Sequence, residues 1–376
     1  MKYTLLVFWV LFGLKFNAWA DSSLFVVIPF VFYFKGNQRV KSIVIVSLTY
    51  FSLTLVLSIY SGIIDTWHIA QPIKSVLALL GTFGMLIYAY GNSTERLKRS
   101  IVTAVLIHAF IVILCYFFRE FQVALNSITG FVSKSEFRVN GLTHSYGTTS
   151  LIHIIAIPLA FELYKGIKLT AVVFVVLLSA FMLARVGLYL GFIFLLLYNL
   201  KSINFRKILI GLSLIYGAYS FLIFLAETDP KSFSGDSQLY FLTMRWALES
   251  FVGLVDSGEL TNNSVNTLNI AYLNDSLLEY IAGTGDFGRN RIHLNTDISY
   301  LLYFSYSGLI GIIFLVFVHS RLNILRLRNI CMLLILLLTA FKEPTFFTRG
   351  LWSAYVLYLY LDYVNIKGSI ATSSPS

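Results

Sequence analysis

His293 and Asp297 stand four residues apart at the entrance to an apolar stretch, Ile298–His319. A helix starting there places imidazole and carboxylate on one face. A carboxylate beside an imidazole at a water–membrane boundary can act as general base on a hydroxyl. The same residues also suit a plain helix start. Asn295, Thr296 and Asp297 are all good N-cap types, and acids favour the positive end of the helix dipole. On spacing alone the cap is the stronger reading. A metal pair would need a third ligand, and none stands at a suggestive distance.

A second chemistry comes from arginine. Arg138, Arg185, Arg245, Arg289, Arg291 and Arg349 fall in segments that the charge pattern assigns to the less basic side. A guanidinium fork matches phosphate oxygens in pairs, so six such groups in an otherwise acidic compartment point to a diphosphate or polyanionic ligand. Ion pairs within the loop are the plainer account. Arg185, in Leu183-Ala-Arg185-Val-Gly187, divides two apolar runs. It either marks a tight turn or lies buried inside one long helix. A snorkelling interfacial arginine and an anion clamp both fit it.

Gly283-Thr-Gly285-Asp-Phe-Gly288 matches the dinucleotide-binding spacing. That fingerprint needs a strand before it and a helix after it inside a βαβ unit. Here it closes a long polar segment and feeds an apolar helix, so it reads as a turn delivering Arg289 and Arg291 to the helix mouth. His108 and His153 lie within apolar runs and read as core hydrogen bonders. Glu162 and Asp362 sit near helix ends, where charge costs little.

The elements that position these groups follow from composition. Of 376 residues 57% are hydrophobic and only 12% charged, with a mean hydropathy of +0.78. A soluble domain cannot hide that much apolar surface. Apolar runs recur near 3–20, 22–34, 42–64, 72–91, 100–118, 149–164, 168–183, 186–200, 207–226, 298–319, 329–341 and 351–364. With about 20 residues needed per span, this is an all-α polytopic membrane protein of about twelve helices, ten at the least. It reads as a single membrane domain, with no internal repeat.

The net charge of +10 arises from topology rather than from a nucleic-acid partner. Lys2, Lys35, Arg39, Lys41, Arg96, Lys98, Arg99, Lys165, Lys168, Lys201, Arg206, Lys207, Arg321, Arg326, Arg328 and Lys367 all fall on one set of short loops and termini. The positive-inside rule assigns that side, and both termini, to the cytoplasm. Two loops on the other side are long. Residues 119–148 form the first, and residues 227–297 the second, with ten carboxylates against four basic residues. Within the second, Gln238–Val255 has the spacing of an amphipathic helix resting on the bundle or membrane surface. Cys115 and Cys331 each fall within a helix and provide neither a disulfide framework nor a zinc site. The N-terminus mimics a signal peptide up to Ala18-Trp-Ala20, yet cleavage there would put the charge pattern one helix out of phase.

Taken together, these features resemble the O-antigen polymerase and O-antigen ligase superfamily of bacterial surface-glycan assembly, over roughly Arg138 to Gly350. Ala184-Arg185-Val-Gly187 is similar to the family's small-residue–arginine turn, with alanine in place of the usual serine. Arg245-Trp246 resembles the arginine and tryptophan-bearing amphipathic helix of the large loop, and Gly283-Thr-Gly285 its Gly-x-Gly turn. In the ligase branch a histidine stands eleven residues before a Gly-x-x-Gly pair. Here that pair is Gly308-Leu-Ile-Gly311, the position is Asp297, and His293 lies one turn away, a departure that favours the polymerase branch.

The resemblance implies a GT-C-like helical glycosyltransferase on the outer face of the inner membrane. It implies a donor linked to undecaprenyl diphosphate, no cofactor or metal, and a chain-length regulator as a partner. Asp297, assisted or replaced by His293, would be the base. Arg185 and Arg245, then Arg138, Arg291 and Arg289, would hold the diphosphate. An O-antigen ligase using lipid A–core as acceptor is the near alternative. A lipid-linked oligosaccharide flippase is the rival from another class, though transporters favour polar groups at mid-membrane and repeated halves.

Overall fold

An apolar run with no water around it must satisfy its own backbone, which leaves the helix as the available local structure. In a computed structural model the protein is described over residues 2–14, 22–35, 38–60, 66–129, 138–143, 145–200, 216–217, 219–248, 252–253, 255, 276–284, 299–339 and 349–373. Among the described residues 86% are helical and none is in a strand. The order is α1 (Lys2–Phe12), α2 (Ser22–Val27, continued by a 3-10 stretch Ile28–Tyr33), α3 (Gln38–Tyr60), α4 (Thr66–Tyr90), α5 (Thr94–Phe117), α6 (Arg119–Thr129), α7 (Tyr146–Ile154), α8 (Ala156–Leu163), α9 (Gly166–Leu183) and α10 (Arg185–Asn199). After these come α11 (Asp236–Ala247), α12 (Leu277–Ala282), α13 (Ser299–His319), α14 (Leu327–Thr339) and α15 (Arg349–Ser373).

Among the described residues, five stretches are long and apolar enough to cross a membrane: Val40–Tyr60, Ile73–Tyr90, Thr94–Phe117, Tyr146–Leu163 and Gly166–Leu183. The all-α membrane character expected from the sequence is therefore present. Other apolar helices are shorter, Arg185–Asn199 among them. At 1.5 Å per residue its fifteen residues reach about 22 Å, less than the roughly 30 Å hydrocarbon thickness. The α7–α8 span kinks at Ile155. Pro158 lies within α8 and removes the bond to the Ile154 carbonyl, crowding that turn.

Contacts between helix ends fix how neighbours run. Tyr90 at the end of α4 donates to the carbonyl of Tyr3, and Thr4 bonds Ser100 near the start of α5. Lys98 pairs with Glu162 at the end of α8. Asn323, in the turn after α13, donates to Asp362 of α15. The starts of α1 and α5 therefore share one end of the bundle with the ends of α4, α8 and α13. Most of the basic residues described belong to that basic end.

The last helix is the central column. From Leu351 to Asp362 every side chain is 2% exposed or less, as expected of a helix apolar all round. Its polar tips bond backbone carbonyls of its neighbours: Trp352 to Ser75, Tyr355 to Val318, Tyr358 to Ile155 at the kink, and Tyr360 to Gly91.

Charge at the basic end departs from the sequence expectation. Asp362 is only 2% exposed, and so is Arg328. Arg328 bonds Glu162 at 3.0 Å and Asp362 at 3.4 Å. Asp362 also accepts from Asn329 Nδ2 at 2.7 Å and from the backbone of Asn323 at 2.9 Å. Charges that seemed cheap at helix ends form a buried network joining α5, α8, α14 and α15.

Polar side chains also occupy helix interiors, where the sequence suggested few. Tyr50 bonds Ser307 at 2.9 Å, and the Tyr306 hydroxyl lies beside Thr54 and Ser58, so α3 and α13 share a hydroxyl seam. Pairing of this kind acts as glue between apolar helices.

The Gly-x-Gly turn and the Gly-x-x-Gly pair meet in space. Gly308 breaks the helical dihedrals of α13, at φ +56° and ψ −149°, and a Cβ built there would lie 2.6 Å from the carbonyl oxygen of Ile281. Gly283, at φ +77°, packs in return against the backbone of Tyr306 and Ser307. Gly308→Ala is expected to destabilise the protein by about 1–3 kcal/mol from backbone strain alone, before any overlap with α12. Thermal melting of the purified protein in detergent checks this; an unchanged midpoint would contradict the close packing.

Candidate functional site

The two apolar runs around Arg185 are two helices, which decides between the alternatives left open by the sequence. Ala184 is extended, at φ −163° and ψ 143°, and is the single residue between α9 and α10. The helices fold back on each other as a hairpin, since a Cβ at Gly191 would overlap Leu177 of α9. Gly187 lets α10 approach α7, where a Cβ would lie 2.6 Å from the Ser150 side chain. Arg185 is thus the first residue of α10, half-buried at the turn, at the end of the bundle opposite the basic one.

Arg138 is brought to the same turn. Val139 N donates to the carbonyl of Met182 at 3.4 Å, which sets residues 138–143 against the last turn of α9, three residues short of Arg185. The Arg138 guanidinium lies over the ring of Tyr146, 5.6 Å from its centroid. Tyr146 opens α7, capped by Ser145, whose side chain accepts from Thr148 N. Cation and ring attract by the ring quadrupole, and that contact helps set the guanidinium direction.

The strap 138–143 has no regular structure of its own, so between its backbone bonds at Val139 and Thr143 it is satisfied by side chains. Gln122 Oε1 accepts from Asn140 N at 3.2 Å and Gly141 N at 3.3 Å. His108 Nε2 accepts from Leu142 N at 3.3 Å. Gly141 has φ +57°, and a Cβ there would stand 3.0 Å from the His108 ring. Within the first long loop, α6 occupies residues 119–129 and carries Gln122. Sequence reasoning missed Gln122 and Tyr146. It also passed over Arg119, whose guanidinium lies 5.4 Å from the Tyr116 ring centroid. Polar residues flanking an apolar run were the available signal for all three.

Arg245 lies in the last turn of α11. That helix contributes Phe241 to a small cluster with Leu225 and Val252 and contacts the 3-10 turn Pro230–Ser232. Arg245 therefore belongs to a local unit, with no described contact carrying it to the Arg185 turn. His293, Asp297, Arg289 and Arg291 lie outside the described residues. Arg349 is described in backbone only, as the first residue of α15. Gly283 follows a helix, α12, instead of the strand a dinucleotide fingerprint requires.

Arg138 and Arg185 are thus two guanidinium groups on adjoining segments, each half-buried. Cations so placed strengthen as water is excluded and need little rearrangement when an anion arrives. Among the described residues no three His, Cys, Asp or Glu side chains gather as a metal site would need. Cys115 and Cys331 are buried thiols. Compared with known proteins, the chain matches no family model, no curated protein and no solved structure.

Proposed function

We propose that this chain is a surface-polysaccharide polymerase of the O-antigen type, joining undecaprenyl-diphosphate-linked oligosaccharide repeat units at the outer face of the bacterial cytoplasmic membrane. The observation that carries the reading is the placement of Arg138 and Arg185 on adjoining segments, joined through Val139 and Met182, at the end opposite the basic residues. With the basic end in the cytoplasm, as the positive-inside rule directs, twelve crossings in a GT-C-like arrangement leave both termini inside. The arginine pair and residues 227–297 then face the donor's leaflet.

In the reaction, the bond between the donor sugar's anomeric carbon and the diphosphate oxygen breaks, and the diphosphate leaves with the electron pair. The acceptor hydroxyl of a new lipid-linked unit forms the new glycosidic bond, and its proton passes to Asp297, assisted by His293. Arg138 and Arg185, with Arg245, Arg289 and Arg291 as further cations, stabilise the negative charge building on the leaving diphosphate. Guanidinium groups supply that charge, so the step is written without metal or nucleotide. A chain-length regulator would act on the same outer face.

Deleting the gene tests the reading. The surface glycan should collapse to a core bearing one repeat unit, with no ladder above it on a gel. A core with no repeat unit would point to ligation or flipping. Asp297→Asn in the complementing copy should leave the ladder absent at normal membrane abundance, and a full ladder there would make Asp297 a helix cap only.

A further inference from the structure

Beneath the strap that carries Arg138 runs a chain of hydrogen bonds whose direction is forced at one end. Leu142 N is a backbone donor, so His108 Nε2, 3.3 Å away, must accept. The His108 proton then sits on Nδ1 and is donated to His153 Nε2 at 2.8 Å. His153 in turn carries its proton on Nδ1 and donates to Ser179 Oγ at 2.8 Å. The Ser179 hydroxyl ends the chain by donating to the carbonyl of Val176 at 2.9 Å. Each ring is a neutral imidazole with one donor and one acceptor, both used.

The opposite tautomers would set donor against donor and leave buried groups unpaired. His108, His153 and Ser179 are each 0% exposed, and Phe12 stacks on the His108 ring at 4.1 Å. Serine, histidine and histidine in this order also occur in nucleophile triads. Here Ser179 is sealed among helices and its proton is committed to Val176, so nucleophilic work is not what the arrangement serves.

We propose that His108 is a positioning residue. Held as an Nε2 acceptor by His153 and Ser179, it clamps the 138–143 strap and keeps Arg138 beside the Arg185 turn. The proposal rests on the anion-site reading only for its consequence in catalysis. The clamp itself is a statement about the strap. It joins three elements to one loop: α5 supplies His108, α7 His153 and α9 Ser179. The strap's other supports, Val139 on Met182, Gln122 on Asn140 and Gly141, and Thr149 on Thr143, leave Leu142 to His108 alone among the described hydrogen bonds.

Two substitutions separate the clamp from mere packing. His108→Gln keeps an acceptor near the Nε2 position. His108→Asn keeps only a donor toward His153. Hydrogen exchange on the full-length protein in detergent, read on the 138–143 backbone, should rise about tenfold or more in His108→Asn and stay near wild type in His108→Gln, since an orphaned buried donor loses its protection. Ser179→Ala should raise the same exchange from two hydrogen bonds away, and Ser179→Thr should restore it. The glycan ladder should be lost in His108→Asn and kept in His108→Gln.

Equal exchange in all variants, or an equal rise in both His108 variants, would overturn the proposal. Raised exchange with a full ladder in His108→Asn would overturn the positioning role. Arg138→Ala, run alongside, separates the two failures. A full ladder there sinks the anion-site reading, while the exchange result still judges the clamp.

Discussion

Arg185→Ala is expected to lower glycan polymerisation by about 100- to 1000-fold, the usual cost of removing one preorganised donor from a developing oxyanion. Arg185 opens a helix at a turn whose close backbone approaches are made by Ala184, Gly187 and Gly191. Membrane abundance should stay near wild type. Arg185→Lys keeps the charge and loses the fork, and it should recover only part of the activity. Ladder length and intensity on a glycan gel, normalised to protein in the membrane, give the measurement. Full activity in Arg185→Lys would remove the paired contact from the account, and full activity in Arg185→Ala would remove the residue.

The second large effect is on stability, at the opposite end. Arg328→Ala is expected to destabilise the protein by about 3–5 kcal/mol, because it leaves the buried Asp362 carboxylate without its cation. Asp362→Ala should also destabilise, because it leaves Arg328 with Glu162 as its one carboxylate and removes the acceptor shared by Asn329 Nδ2 and Asn323 N. Either should lower the thermal midpoint in detergent by more than about 5 °C. Lys98→Ala touches the more open edge of the network at Glu162, where the pair is 18% and 28% exposed, and should cost less than either. Equal small shifts in all three would mean that water reaches the network.

What was legible in the sequence was whatever depended on local pattern. Within the described residues apolar runs became helices, Lys98 and Arg328 met at one end, and the Arg185 break was visible as a charged residue between two apolar stretches. The pairing of Gly283 with Gly308 was not, because the spacing of each glycine motif says nothing about which other backbone it must touch. Burial of Arg328 and Asp362 was hidden for a related reason: position near a helix end does not tell whether other helices close over that end. The polar seam of Tyr50, Thr54, Ser58, Tyr306 and Ser307 was invisible because hydroxyls barely disturb an apolar run.

The candidate site was legible in part. Arg138 and Arg185 were both named from the side of the membrane they should occupy, and the fold sets them on adjoining segments. Tyr146 and Gln122 were missed, since their partners lie in other segments and no spacing links them. His108 was rightly read as a core hydrogen bonder, yet its partner list, a backbone donor on one side and a second histidine on the other, is a product of three-dimensional packing alone.

The most direct measurement places purified protein in liposomes with a polyprenyl-diphosphate-linked oligosaccharide repeat unit as the only substrate. Products of two or more units, released polyprenyl diphosphate in matching amount, and loss of both in Arg185→Ala are the results expected. Unchanged substrate with wild-type protein, or coupling that survives without Arg185 and Arg138, would contradict a polymerase built on that arginine pair.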